Sequence, residues 1–404
     1  MKLNVVHEFM AIAALNSPSR CEAAVAEYLI RSLGKFGLTA TIDDSAPLSG
    51  SDTGNIVVRV PGNAPGPTIM LCAHMDTVSP TEGMVPVLRD GIIISNGETV
   101  LGADDKAGIA MIIVALSELL AENVPHGAIE VVFSVQEEAG LFGVSYLTEP
   151  LTADFGYILD GDGPVGTIVN QAPSKVGLYF VVEGRAAHAG VCPEKGINAI
   201  VTAAKAIARL RTGRIDAHTT SNVGVISGGK VRNIVPDRAE VAVEVRSTDA
   251  GKLEGEVQAV LDAFKAEAVA SGALVTFRKE ESYVTFTIEE THPVIANAYR
   301  AARSLGIQPQ LRPSGGGTDA NVFNARGLPC VGLGIGKEDN HSPQERIAVT
   351  QLEVGVKFVK ALVTGAVYRY SSRTEAKTLR TKPRESRTAI GGATIERAND
   401  GEEP

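Results

Sequence analysis

The chain has 404 residues, is 44% hydrophobic and 21% charged, and carries a formal net charge of -9. Its length bounds it at roughly two to three domains, and the composition is that of an ordinary globular protein with ample core. The acidic balance argues against nucleic acid or an anionic membrane as partner, since neither attracts an acidic chain, and leaves short peptides and other small molecules.

In chain order, an opening helix is followed by Ser19-Arg20-Cys21-Glu22, whose S-x-x-E spacing predicts a capping box for a helix running to about Leu33. Strands are expected over residues 39–42, 55–60 and 68–73, the last an apolar run that stops at His74-Met75-Asp76. A helix with one apolar face follows from Lys106 to about Glu122, then a strand over 128–135, a short helix over 141–147 and a strand over 155–159. Strands alternating with helices predict a mostly parallel sheet.

From Ser174 the pattern changes to strand, helix, two strands, helix and strand, with turn signals at Gly228-Gly229 and Pro236-Asp237. This predicts a small α+β domain with an antiparallel sheet, inserted into the first. The first pattern resumes with helix 293–305, the Gly315-Gly316-Gly317 loop, strand 330–334 and a helix from Gln351 to about Tyr368. The expected organisation is a catalytic domain over 1–174 and 291–370, an insertion over 175–290, and a polar, disordered tail over 371–404.

Four cysteines, Cys21, Cys72, Cys192 and Cys330, are scattered without a CxxC pair and read as reduced residues of a cytoplasmic protein. The amino terminus has no continuous apolar run of a signal peptide, and no stretch approaches the ~18 apolar residues of a membrane span.

The chemistry lies where apolar elements end in acids or histidine. His74 and Asp76 share a strand face. Asp104 and Asp105 open a helix, Glu137 and Glu138 end a strand, Asp160 ends another, and His341 follows a glycine-rich strand. Each alone reads equally as a cap, a turn or a solvated strand end. Gathered at the carboxyl edge of one sheet, where open α/β sheets place their ligands, they would repel. Two like charges ~4 Å apart cost about 4 kcal/mol at an effective dielectric near 20. Lys106 is the only cation adjacent to these motifs, so divalent ions are the simplest compensation. Mixed imidazole and carboxylate donors without thiolate suit zinc, with manganese or cobalt as alternatives.

The ordered set His74-x-Asp76, Gly102-Ala103-Asp104-Asp105-Lys106, Glu137-Glu138, Asp160 and His341 resembles the M20 metallopeptidase family, nearest to its peptidase T-like tripeptidases, over roughly residues 1–370. The resemblance implies an α/β zinc-peptidase domain interrupted by an α+β lid that mediates homodimer formation. It implies that His74 and Asp160 hold one of two zinc ions per subunit, Glu138 and His341 the other, and Asp104 both. Asp76 would orient His74, and Glu137 would be the general base for a water acidified by the two metals. A cis peptide is expected between Asp104 and Asp105. In the insertion His188 is implied to reach the partner subunit's active site and stabilise the oxyanion, and Asn233 and Arg246 to bind substrate. Gly316, in the glycine loop, would give substrate a bare backbone to approach; Arg246 reads equally as half of a surface ion pair.

The function expected is an exopeptidase cleaving short peptides, a tripeptidase or aminopeptidase. A metal-dependent carboxypeptidase or N-acyl-amino-acid deacylase shares the same motifs, and a catalytically silent binding protein is the alternative of another class. Gly224 to Lys230 has P-loop-like spacing but continues with Val231, which removes the hydroxyl ligand for magnesium. No serine sits in G-x-S-x-G.

Overall fold

A computed structural model describes residues 3–367 and 394–397. Its described residues form two compact units, one built from 3–172 and 286–367, the other from Pro173–Thr285 together with 394–397. The tail expected from residue 371 lies outside the described residues, apart from Thr394–Arg397, whose backbone pairs antiparallel with Leu274–Tyr283.

The first unit is organised on a mixed sheet. Its centre is parallel, with Ile69–His74 between Ile129–Ser134 and Phe155–Gly161, and Cys330–Gly334 beyond the latter. Antiparallel strands flank it, Ile56–Val60 on one side and Thr167–Ala172 on the other. The central strands are buried along their whole length, which is why they read as unbroken apolar runs. Ile69, Leu71 and Ala73 join the main core. Cys72 lies on the opposite face, reaching Asp319, and by the two-residue period His74 lies on that face too.

The helix Ala103–Ala121 packs on the central strands and is buried nearly all round through Ser117, where one apolar face was expected. The helices Val5–Ala13 and Val349–Gly365 cover its outer side, so no polar face is needed. Gly108 permits its close approach to the sheet: a Cβ there would sit 2.3 Å from the Leu159 carbonyl oxygen. Asp104 and Asp105 have non-helical backbone angles, and the peptide between them is cis.

The expected capping box does not form. The helix Ala23–Gly34 starts without a side-chain cap from Glu22, because Ser19 donates to Asp76 and Glu22 accepts from Arg20, Ser51 and Gln136. Both residues are drawn toward the sheet edge. Cys72 and Cys330 are buried, whereas Cys21 is exposed. No helix among the described residues is long and apolar enough to cross a membrane.

In the second unit the sheet is antiparallel. Along Arg238–Ser247, alternate residues Ala239, Val241, Val243 and Val245 are buried beneath the helices Ala199–Arg209 and Ala250–Ser271. Phe180 of the sheet stacks on Phe264 of the longer helix, with ring centroids 3.8 Å apart.

Candidate active site

The site residues of the first unit stand where strands end or a helix begins. His74 closes one central strand, Asp160 lies near the end of the next, Glu137 and Glu138 follow the third, and Asp104 sits at the break that opens the buried helix. His341 comes from the turn after Lys337–Glu338, with φ of 61°.

Asp104 presents its two oxygens to two different groups. Oδ1 lies 3.2 Å from His74 Nε2 and 2.6 Å from Lys337 Nζ. Oδ2 accepts from Asn340 Nδ2 at 2.9 Å and lies 3.2 Å from His341 Nε2. On the first side Asp160 Oδ1 lies 2.6 Å from Lys337 Nζ and 3.7 Å from His74 Nε2. On the second side Glu138 Oε1 is 2.9 Å from His341 Nε2.

These donors fit a divalent cation. Ligand atoms of His74, Asp104 and Glu138 lie within 4.8 Å of one another, as do those of His74, Glu137 and Asp160. Both groups combine imidazole with carboxylate and contain no thiolate, a set that suits zinc, manganese or cobalt.

Lys337 corrects the charge count made from sequence, in which Lys106 was the only adjacent cation. Lys106 instead donates to the Leu15 carbonyl, and burial pushes its ammonium down to about 7. Lys337 is buried with its charge between two carboxylates. Burial would lower its pKa, but Asp104 and Asp160 hold it well above the usual lysine range.

The same balance governs the other groups. Burial opposes a charge on His74, yet hydrogen bonds to Asp104, Asp160 and Asp76 hold its imidazole well above the usual range. Asp104 and Glu138 push His341 up to about 10. Burial raises Glu137 well above the ordinary carboxyl range and raises Glu138 despite its bond to His341. Asp104 is held well below that range, its burial outweighed by Lys337 and the two histidines.

A second layer of acids fixes the backbone. Glu22 accepts from the Gln136 amide at 3.0 Å, and Asp76 accepts from the amides of Glu137 and Glu138 at 3.0 and 3.2 Å. Three successive amides are therefore held by two carboxylates. His74 Nδ1 meets the Asp76 backbone carbonyl at 2.8 Å, with the Asp76 carboxylate farther away at 3.4 Å. A carbonyl there fixes the ring much as a carboxylate does. Glu345 accepts from the amides of Gly102 and Asp104 at 2.7 and 2.9 Å.

Asp104, Glu137, Glu138, Asp160, Lys337 and His341 line a cleft of about 370 Å³ with the Gly315–Gly317 loop. Gly316 lies in that wall, its amide donating to Ser314 Oγ at 3.0 Å. His188, Asn233 and Arg246 belong to the second unit. There Ala189 N–H donates to the Asn233 carbonyl, which draws the His188 and Asn233 segments together. The His188 ring accepts from the amides of Gly190 and Val191. Arg246 lies apart on its strand and donates to Glu244 at 2.6 Å, the ion pair weighed as its alternative role.

Lys337, Glu345, Glu22 and Ser19 were not foreseen as site residues. Asn340 had one signal, its place beside His341.

An α/β domain that gathers imidazole and carboxylate donors in a cleft at the carboxyl edge of its sheet is built as a metal-site hydrolase. The chain belongs to peptidase family M20/M25/M40, whose profile matches residues 70–365, in agreement with the resemblance carried by the order of its motifs. It is similar to the aminopeptidase PepT of Bacillus cereus ATCC 10987, at 39% identity and a TM-score of 0.84, covering 90% of this chain and 98% of that one. A tripeptidase of Staphylococcus aureus subsp. aureus Mu50 is 34% identical with a TM-score of 0.88, covering 91% and 99%. The protein YqjE of Bacillus subtilis (strain 168) is 38% identical over 363 residues, 90% of this chain and 98% of its own length.

Proposed function

We propose that this peptidase is a two-zinc exopeptidase acting at the amino end of short peptides, tripeptides among them. The observation that carries the reading is the divided environment of Asp104, one oxygen turned to His74 and the other to His341. The choice of substrate is supported by the aminopeptidase and tripeptidase relatives. His74 and Asp160 would hold one ion, Glu138 and His341 the other, and Asp104 both. Zinc there would supply an electrophile for the scissile carbonyl and acidify the attacking water.

Glu137 takes the proton of that water and delivers it to the leaving amine. Its carboxylate lies within 4.8 Å of the ligand atoms of His74 and Asp160, beside the metal donors, as general-base catalysis requires. Asp76 keeps Glu137 and Glu138 in register through their amides, so that base and ligand cannot drift independently. Gly316 offers a wall without a side chain to the bound peptide. From the resemblance alone, His188, Asn233 and Arg246 are assigned to substrate, with His188 acting across a homodimer. Gly213–Arg214 pairs with the outer edge of Thr219–Gly228 only at Thr220 and Ser221; the later part of that edge, where Val225 and Ile226 are exposed, supports association, since such an edge invites pairing.

A carboxypeptidase or N-acyl-amino-acid deacylase would use the same metal donors. Paired assays of a tripeptide and its N-acetylated form separate the readings: cleavage of the free peptide alone supports the proposal. Cleavage of acylated amino acids would replace it. A silent binding protein would hydrolyse neither.

A further inference from the structure

We propose that the Lys337 ammonium is a built-in competitor for the metal position formed by His74, Asp104 and Asp160. That position then fills only after the Glu138–His341 position, and only when metal is plentiful. The inference rests on the two-metal reading above.

Lys337 Nζ sits 2.6 Å from both Asp104 Oδ1 and Asp160 Oδ1, and these are the two oxygens turned toward His74 Nε2, at 3.2 and 3.7 Å. An ammonium and a divalent ion drawn to the same two oxygens compete for them, because the two cations repel each other and each weakens the other's hold. The two sides of Asp104 differ in this respect. At Oδ2 the cationic neighbour is His341, whose imidazole is itself a metal donor, whereas at Oδ1 it is a lysine that competes with the ion.

The backbone of Lys337 is fixed. Its strand pairs with Arg346–Ala348, and the preceding Gly336, at φ 83°, packs so tightly that a Cβ would lie 2.4 Å from Gln351. Departure is therefore a swing of the flexible four-carbon stem, its charge retained, into the cleft that Lys337 lines.

The test is zinc bound per chain, measured by elemental analysis after equilibration against buffered zinc, for the full-length protein and for Lys337→Met. We expect two unequal steps in the unaltered protein, the second at least about tenfold weaker, and a second step at least about tenfold tighter in Lys337→Met with the first unchanged. Should Lys337→Met fail to fold, Lys337→Gln and the two-step titration of the unaltered protein carry the test. Equal steps in the unaltered protein, or a second step indifferent to the substitution, overturn the inference while leaving the two-metal site intact. Absence of bound zinc in both proteins overturns the two-metal reading and the inference with it.

Discussion

The backbone N–H of Glu137 donates to the Asp76 carboxylate at 3.0 Å. The acid that follows the strand histidine thus works on the neighbouring strand end as well as on His74. Ser19 Oγ donates to the other Asp76 oxygen at 2.6 Å, beside the Glu138 amide. Asp76→Asn keeps the shape but turns an N–H₂ toward one of these donors. Activity should fall by roughly 10–100-fold, the range found when a group supporting metal ligands is lost, with the larger effect on kcat. Unchanged steady-state kinetics would remove Asp76 from the positioning of the base.

Glu137→Gln should leave bound metal unchanged and lower kcat by at least ~100-fold, the scale of general-base loss. Elemental analysis and steady-state assay of the same preparation check both halves. A variant that loses its metal would make Glu137 a ligand instead.

Much of this centre was legible in the sequence, and the reason is local. His74, Asp104, Glu137, Glu138 and Asp160 each interrupt an apolar element where it leaves the core, a pattern visible within a few residues. Lys337 was not legible because its partners are 177 and 233 positions away and its two-residue strand has no apolar run to mark it. Ser19 and Glu22 misled for a related reason. Their spacing satisfies a local capping rule, but buried long-range partners at Asp76 and Gln136 claim the same oxygens. The parallel centre of the first sheet followed from fully apolar strands. Its antiparallel flanks depend on pairings between distant segments, such as Thr167–Ala172 with Phe286–Thr287, which periodicity does not encode.

Glu345 is buried and receives two backbone amides of the Asp104 loop. Glu345→Ala should destabilise the fold by about 1–3 kcal/mol for each amide left unpaired and weaken metal binding by freeing Asp104. Urea unfolding together with zinc titration measures both. An unchanged midpoint would mean that water replaces the carboxylate at no cost.

Asp319 is buried beneath the site and accepts from Ser134 Oγ, while its Oδ1 has no hydrogen-bond partner. Burial pushes its carboxyl from 3.8 up to about 7. The folded protein therefore keeps a proton that the unfolded chain releases, so this group's contribution is most favourable below about pH 4 and is lost as pH rises to about 7. Asp319→Asn can still accept from Ser134 and does not ionise. Between pH 5 and 7.5, urea midpoints of chelator-treated protein should fall with pH, and fall less in the variant. Parallel curves would show that Asp319 is ionised throughout or unaffected by burial.

The central claim is that separate strand ends converge here in order to hold divalent ions for peptide hydrolysis. It is tested most directly by stripping the purified protein with a chelator, removing the chelator, and assaying a tripeptide with a free amino end before and after zinc is returned. The account predicts that cleavage disappears on stripping and is restored by zinc in step with the metal bound. Full cleavage by protein shown to contain no metal would contradict it.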